Sequence, residues 1–214
     1  MSVRLAVAIP CHVFVAPQMA QSLARMTHAF AAGDLSLRFF GNAVSTFGRN
    51  ALVRWAIEKR ATHVLWIDTD SVFPPDAADQ LLASHVPFIG ANFALKDGSG
   101  QSAAWGVDGS RLKVRRDGIE RVSTLGFGLT LTRMDVLEAV GDPWFAVVDG
   151  EQGGPADEWR FCQRAIAAAA DSVDDDVAEA EVVAQAGSAV EDADVQVAAA
   201  EDLAHLVAEI GRAH

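Results

Sequence analysis

The chain has 214 residues, of which 50% are hydrophobic and 21% are charged. This length and composition fit one α/β domain with a sizeable core, and they exclude global disorder. The net charge of -12 is uneven, because residues 171–202 contain 11 acidic and no basic residues whereas residues 1–170 are nearly neutral. Strong non-specific nucleic-acid binding is therefore not expected. No apolar run approaches the roughly 20 residues of a membrane span.

The two cysteines, Cys11 and Cys162, form neither a CxxC pair nor a zinc-type spacing. Isolated cysteines of this kind are typical of a reducing compartment. The apolar run at residues 3–9 is too short for the core of a secretory signal. These features predict a cytoplasmic protein.

The hydrophobic pattern predicts alternating strands and helices in the first part of the chain. Pro10 is expected to end the first strand, and Pro74-Pro75 are expected to open the third helix. Apolar runs predict strands at 5–9, 35–40, 63–67 and 87–93, and three- to four-residue spacing predicts helices at 17–32, 47–60 and 76–84.

Beyond a Gly/Ser-rich loop at 97–102 the pattern changes to short strands joined by turns. Strands are predicted at 112–116, 119–122 and 124–132, and helices at 133–140 and 156–170. Parallel βα units followed by antiparallel strands indicate a single three-layer α/β/α domain with a mixed, mainly parallel sheet.

The acidic segment is predicted to lie outside this domain. Residues 171–193 are rich in Ala and Val and contain no basic or aromatic residue, so we expect a mobile or peripheral element rather than part of the core. Residues 194–214 are expected to return to the domain with a strand at 194–198 and a short helix at 201–210.

The strongest chemical signal is Asp68-Thr69-Asp70, which directly follows the apolar run at 63–67. Open α/β sheets bind ligands at the carboxyl ends of their strands. Paired carboxylates suit Mg²⁺ or Mn²⁺, and these cations bind diphosphates. A solvated turn at the end of a strand is the structural alternative.

Two classes of enzyme use such a motif. Phosphotransferases of the haloacid-dehalogenase type use the first aspartate as a nucleophile, and the string from Asp68 to Val72 fits their pattern. Those proteins usually carry the motif on their first strand, whereas here it follows about the third. In GT-A glycosyltransferases the carboxylates instead hold a metal on the diphosphate of a nucleotide sugar.

Several further stretches occur in a specific order around this motif. Gly48–Val53 precedes it, FIGANFALKDG (88–98) follows it, and TLGFGLTLTRMDVLEAV (124–140) and DEWRFCQRA (157–165) come later. Over roughly residues 4–170 this order resembles short bacterial and phage-type GT-A glycosyltransferases related to family 2. The resemblance implies a GT-A-like catalytic domain at 1–170, with a nucleotide-binding half at about 1–96 and an acceptor half at about 97–170.

The resemblance also implies which residues bind the donor and the metal. Asp68 and Asp70 would bind Mn²⁺ or Mg²⁺ and the diphosphate. The segment Asp202-Leu203-Ala204-His205 resembles the end of the family domain, so His205 would be the third metal ligand, with His214 as the alternative. The donor would lie near Pro10, His12, Arg49, Asn50 and Asp68. A helix-opening arginine with a surface asparagine is the structural alternative for Arg49 and Asn50. Lys96, a loop residue, is a further candidate for donor binding through phosphate, and a solvated loop lysine is its alternative.

Asp157-Glu158 begin a segment that resembles the family's acidic-acidic-x-x-Phe-Cys element. Inverting sugar transfer needs a carboxylate that removes the proton of the acceptor hydroxyl. Glu158 matches the second acid of the element, and Asp157 is the alternative. The structural alternative to a catalytic role is that the two acids only stabilise the N-terminus of a helix. Candidate rings for stacking on an acceptor are Trp105, Trp144 and Trp159, whereas Trp55 and Trp66 fit core patterns.

The sequence therefore predicts a metal-dependent glycosyltransferase that uses a nucleoside-diphosphate sugar. Its acceptor, whether a glycan, a small molecule or a modified nucleic acid, is not identified. One alternative is a phosphotransferase with Asp68 as nucleophile, which would need Lys96 or Lys113 and the acids Asp157 and Glu158. The other is a non-catalytic nucleotide-sugar-binding protein.

Overall fold

The computed structural model describes residues 2–28, 30–31, 33–41, 45–95, 98–113, 118–146, 156–170 and 182–186. Lys96, His205 and His214 lie outside these ranges, so the predictions for them remain predictions. The strands are β1 (Leu5–Cys11), β2 (Leu35–Gly41), β3 (His63–Ile67), β4 (Phe88–Asn92), β5 (Trp105–Gly106), β6 (Ile119–Thr124), β7 (Leu129–Arg133) and β8 (Val182–Ala186). The helices are α1 (Pro17–Thr27), α2 (Ser45–Glu58), α3 (Ala77–Ala83), α4 (Met134–Val140) and α5 (Ala156–Ala170).

The described strands form one mixed sheet in the order β2-β1-β3-β7-β4-β8-β6-β5. β1 pairs in parallel with β2 and β3, and β4 pairs in parallel with β8. The other four described pairings are antiparallel, because β7 enters between β3 and β4 from the opposite end of the sheet and β6 opposes both β8 and β5. The predicted α/β class and mixed sheet are confirmed. The sheet was also predicted to be mainly parallel, but only three of its seven described pairings are parallel.

Helices cover both faces of the sheet, as the three-layer prediction requires. Alternation along β1 sends Leu5, Val7 and Ile9 into one core and Ala6 and Ala8 into the other. The first core contains the apolar sides of α1 and α3, and the second contains those of α2, α4 and α5. None of the described helices is long and apolar enough to cross a membrane.

Some element boundaries differ from the prediction. β1 continues through Pro10 to Cys11, and its pairing with β3 has already ended at Ala8. Pro10 therefore lies where the strand is paired on one side only, and the missing N–H of proline is tolerated there. The predicted strand at 124–132 is divided: its first residue ends β6, and β7 begins only at Leu129, after a turn that contains two glycines.

β8 comes from inside the acidic segment. Its residues pair in parallel with Phe88–Asn92 of β4 and antiparallel with β6. The prediction that 171–193 is peripheral is therefore wrong for 182–186. These five residues are an uncharged Val-Val-Ala-Gln-Ala run, which suits a strand between two others far better than the acidic flanks do. The predicted strand at 194–198 lies outside the described residues.

Candidate functional site

The Asp68-Thr69-Asp70 turn lies at the carboxyl end of β3, where the sequence predicted it. Hydrogen bonds hold the turn on two sides. The backbone N–H of Asp68 donates to the carbonyl of Gly128 (3.1 Å), and that of Ala16 donates to the carbonyl of Thr69 (2.8 Å). Asp68 is half-buried and Asp70 is exposed. The turn is thus attached both to the beginning of β7 and to the loop that follows β1.

Pro10 and His12, which are predicted to lie near the donor, are at the carboxyl end of β1 on this same edge of the sheet. Pro10 is half-buried within β1, and His12 is exposed in the turn directly after it. The hydrogen bond from Ala16 to Thr69 connects their loop with the aspartate turn. The structure therefore brings these residues to the edge that carries Asp68 and Asp70.

The two glycines before β7 make room for an aromatic ring that the sequence analysis did not single out. A Cβ at Gly128 would lie 2.7 Å from Cζ of Phe93 and 3.3 Å from Oγ of Ser71. A Cβ at Gly126 would lie 3.1 Å from the same Cζ of Phe93. The ring of Phe93, which follows β4, therefore packs on the backbone beside the aspartate turn. The Gly-x-Gly spacing was the signal for this close approach.

Arg49 on α2 forms buried ion pairs with both acids at the beginning of α5. Its Nη1 lies 2.8 Å from Oδ2 of Asp157, and its Nη2 pairs with Oε1 of Glu158. The side chains of the three residues are between 6% and 13% exposed, so solvent screens these pairs little. We call these three residues the Arg49 cluster.

Aromatic rings and an asparagine hold the cluster in place. The guanidinium carbon of Arg49 lies 5.4 Å from the ring centroid of Phe127 and 5.6 Å from that of Phe145. The amide nitrogen of Asn50 donates to the carbonyl of Phe145 (2.7 Å), and the backbone N–H of Phe145 donates to Oδ1 of Asn50 (3.1 Å). Arg49 and Asn50 are thus both buried and join α2 to the segment before α5.

The charges of the cluster and of Asp68 influence one another. The pKa of Glu158 is raised to about 7. Burial is the largest cause, the charges of Asp68 and Asp157 act in the same direction, and Arg49 and a hydrogen bond from the Phe127 backbone oppose the shift. Burial alone would lower the pKa of Arg49, but Glu158, Asp157 and Asp68 together raise it. The Asp68 carboxylate therefore lies within the electrostatic reach of the Arg49 cluster.

Two of the side chains predicted to bind metal lie in the aspartate turn. Asp68 and Asp70 offer the hard oxygen donors that Mg²⁺ and Mn²⁺ prefer. Within the described ranges, no group of three His, Cys, Asp or Glu side chains is arranged to hold a metal ion. The third ligand that the sequence predicts, His205 or His214, lies outside those ranges.

The structure separates the predicted tryptophans into buried and exposed ones. Trp55 and Trp66 are buried in the core, in agreement with their pattern. Trp144 is also buried, and its Nε1 donates to the carbonyl of Leu137 (2.8 Å), so its prediction as a stacking ring is wrong. Trp105 and Trp159 are exposed, and Trp159 directly follows Glu158.

Comparison with known proteins gives a likeness of fold without a likeness of sequence. No protein-family model and no curated protein sequence matches the chain. The crystal structure of A197 from STIV superposes on it with a TM-score of 0.58 and 15% identity, over 76% of this chain and 78% of that one. The likeness is one of fold. The crystal structure of GalNAc-T7 with UDP, GalNAc and Mn²⁺ gives a TM-score of 0.46 and 8% identity, and the match covers 77% of this chain and 40% of that one.

Proposed function

We propose that the chain is a glycosyltransferase that moves a sugar from a nucleoside-diphosphate sugar to an acceptor hydroxyl. One observation carries the proposal: Asp68, at the end of β3, and Glu158, at the beginning of α5, are joined through the same short segment before β7. The backbone N–H of Asp68 donates to Gly128, and Arg49, which pairs with Glu158, lies against the ring of Phe127. Glycosyl transfer needs carboxylates for two tasks, namely binding the metal diphosphate and accepting a proton.

In this proposal Asp68 and Asp70 hold a divalent cation, with His205 as third ligand or His214 in its place. The bound cation would offset the negative charge of the departing diphosphate. Pro10, His12 and Lys96 are the proposed donor-side residues. Pro10 lies near the carboxyl end of β1, the strand adjacent to β3, and His12 directly follows that strand.

Glu158 is the proposed general base. Its pKa of about 7 suits a group that must take a proton near neutral pH and release it afterwards. The proton of the acceptor hydroxyl moves to Glu158 while the acceptor oxygen bonds to the anomeric carbon. The bond from that carbon to the diphosphate oxygen breaks, and its electron pair leaves with the nucleoside diphosphate.

A screen followed by a turnover assay tests this function. Thermal shift with nucleotide sugars and Mn²⁺ would identify the donor, because a ligand that binds the native state raises its stability. We expect slow release of nucleoside diphosphate from that donor by the wild type and none by Glu158→Gln, with Glu138→Gln, an exposed glutamate on α4, unaffected. Equal release by Glu158→Gln and wild type would exclude Glu158 as the base.

Trapping with beryllium fluoride distinguishes the phosphotransferase alternative. A nucleophilic Asp68 would form an aspartyl phosphate, which beryllium fluoride mimics, whereas an Asp68 that holds metal would not be modified. We expect no beryllofluoride on Asp68. Its detection there by mass spectrometry or crystallography would favour the phosphotransferase. Donor binding without any release would favour the non-catalytic binding protein.

A further inference from the structure

We propose that Arg49 is a positioning residue that fixes the direction of the Glu158 carboxylate. This inference rests on the proposed function of Glu158 as a base. This positioning role differs from the contact with the sugar donor that the family resemblance implies for Arg49. Each of the two terminal nitrogens of Arg49 is paired with a carboxylate of α5.

The geometry of the ion pairs sets the orientation of both acids. One terminal nitrogen binds Asp157 and the other binds Glu158. A guanidinium is planar and presents its donors in a rigid fork, so two carboxylates bound to it are held at a defined angle to each other. A lysine ammonium in the same place would act as a point charge without this fork.

The guanidinium itself has little freedom to move. It is buried, and it lies against the rings of Phe127 and Phe145. Its Nε is buried without a hydrogen-bond partner among the described residues. That unpaired donor costs free energy, which indicates that the ion pairs and ring contacts decide where the side chain lies.

The two acids differ in how they are held, which separates their roles. Oδ2 of Asp157 accepts from Arg49 and from Oγ1 of Thr46 (3.2 Å), and its Oδ1 accepts from the backbone N–H of Glu158 (3.1 Å). Asp157 thus joins α2 to the first turn of α5. The Glu158 carboxylate accepts hydrogen bonds from Arg49 and from the backbone N–H of Phe127. We assign the structural task to Asp157 and the reactive one to Glu158.

The first test follows the Glu158 carboxyl directly and needs no substrate. Its ¹³C resonance, assigned by its loss in Glu158→Gln, is titrated in the wild type, in Arg49→Ala and in Arg54→Ala. The groups facing it are Arg49, Asp68, Asp157 and the Phe127 backbone. Loss of Arg49 is expected to raise the midpoint by roughly 1–3 pH units, and millimolar guanidinium is expected to reverse the shift.

Arg54 is the matched control, because it lies on the same helix in an exposed ion pair with Asp142. Arg54→Ala is expected to leave the midpoint unchanged. An unchanged midpoint in Arg49→Ala would overturn the proposal. If Arg49→Ala does not fold, Arg49→Gln, which keeps side-chain bulk without the charge, replaces it: a rise in the midpoint supports the proposal, and no rise overturns it.

The second test measures release of UDP from UDP-glucose with Mn²⁺. Arg49→Ala is expected to lower kcat by about 10²-fold with little change in KM, and guanidinium is expected to restore part of kcat. A large rise in KM with kcat unchanged would assign Arg49 to the donor and overturn the proposal. Absence of release by the wild type itself would count against the proposed function for this donor, and the titration would still decide the role of Arg49.

Discussion

Arg49 and Asp157 are 108 positions apart in the chain, yet Nη1 of the arginine lies 2.8 Å from Oδ2 of the aspartate. With Glu158 they form a buried cluster of one cation and two acids. The cluster joins α2, which follows β2, to the beginning of α5, the last described helix, and it lies within reach of the Asp68 charge. Stability and the proposed reactivity therefore depend on the same contact.

Replacing Arg49 by Met should destabilise the protein strongly, because it leaves two buried carboxylates without their cation. We expect a loss of about 3–5 kcal/mol in the free energy of unfolding, measured by chemical denaturation at pH 8. Arg54→Met removes an exposed ion pair and should cost no more than about 1 kcal/mol. Similar losses in both variants would show that the buried pairs contribute little.

The stability of the fold should depend on pH through Glu158. Its pKa is about 7 in the folded protein, compared with an ordinary value near 4.5. Between these two pKa values Glu158 is protonated in the folded state and ionised in the unfolded state. The contribution of this proton to the free energy of unfolding is therefore complete at low pH and declines as the pH rises to about 7. The decline is at most about 1.4 kcal/mol per pH unit. Denaturation from pH 5 to pH 8 should show it in the wild type and in Glu138→Gln, and a much flatter profile in Glu158→Gln.

Nucleotide binding should depend on metal through the exposed carboxylate of Asp70. UDP or GDP is expected to raise the Tm of the wild type more with Mn²⁺ than with EDTA. Asp70→Asn should remove this difference, whereas Asp79→Asn, a change at an exposed position on α3, should retain it. Equal nucleotide binding in Mn²⁺ and in EDTA would argue against a metal on the aspartates.

Gly128→Ala should displace the ring of Phe93, since the new Cβ would lie 2.7 Å from its Cζ. We expect a loss of roughly 1–3 kcal/mol in stability, as in other overpacked sites. Phe93→Leu should recover part of the loss in the double variant. Gly48→Ala provides the control, because its Cβ would lie 3.4 Å from Phe40 and the change favours a helix. Full tolerance of Gly128→Ala would mean that Phe93 can move freely.

Removal of β8 should destabilise the sheet. A chain that ends at residue 180 loses the strand that pairs with both β4 and β6, so the facing edges of those strands lose their hydrogen bonds. A chain that ends at Ala186 retains it. Thermal unfolding should give a Tm several degrees lower for the shorter chain than for the longer one. Equal Tm values would indicate that β8 contributes nothing to stability.

Local patterns in the sequence determined the elements around the site. The apolar run before Asp68 coincides with β3, and the predicted helix at 156–170 coincides with α5. These features depend on residues a few positions apart, so a single sequence is enough to recognise them. The Gly-x-Gly spacing at 126–128 is equally local, but the ring that packs on it, Phe93, is identified only by the structure.

Only the tertiary structure decided which of these pieces meet. β8 lies between β4 and β6, because the strand order of a sheet depends on competing long-range pairings that composition does not reveal. Trp144 is buried because α4 provides a carbonyl for its indole N–H. Arg49 faces Asp157 and Glu158 because α2 and α5 pack on the same face of the sheet. Ion pairs over such separations result from packing, and no periodicity in the chain encodes them.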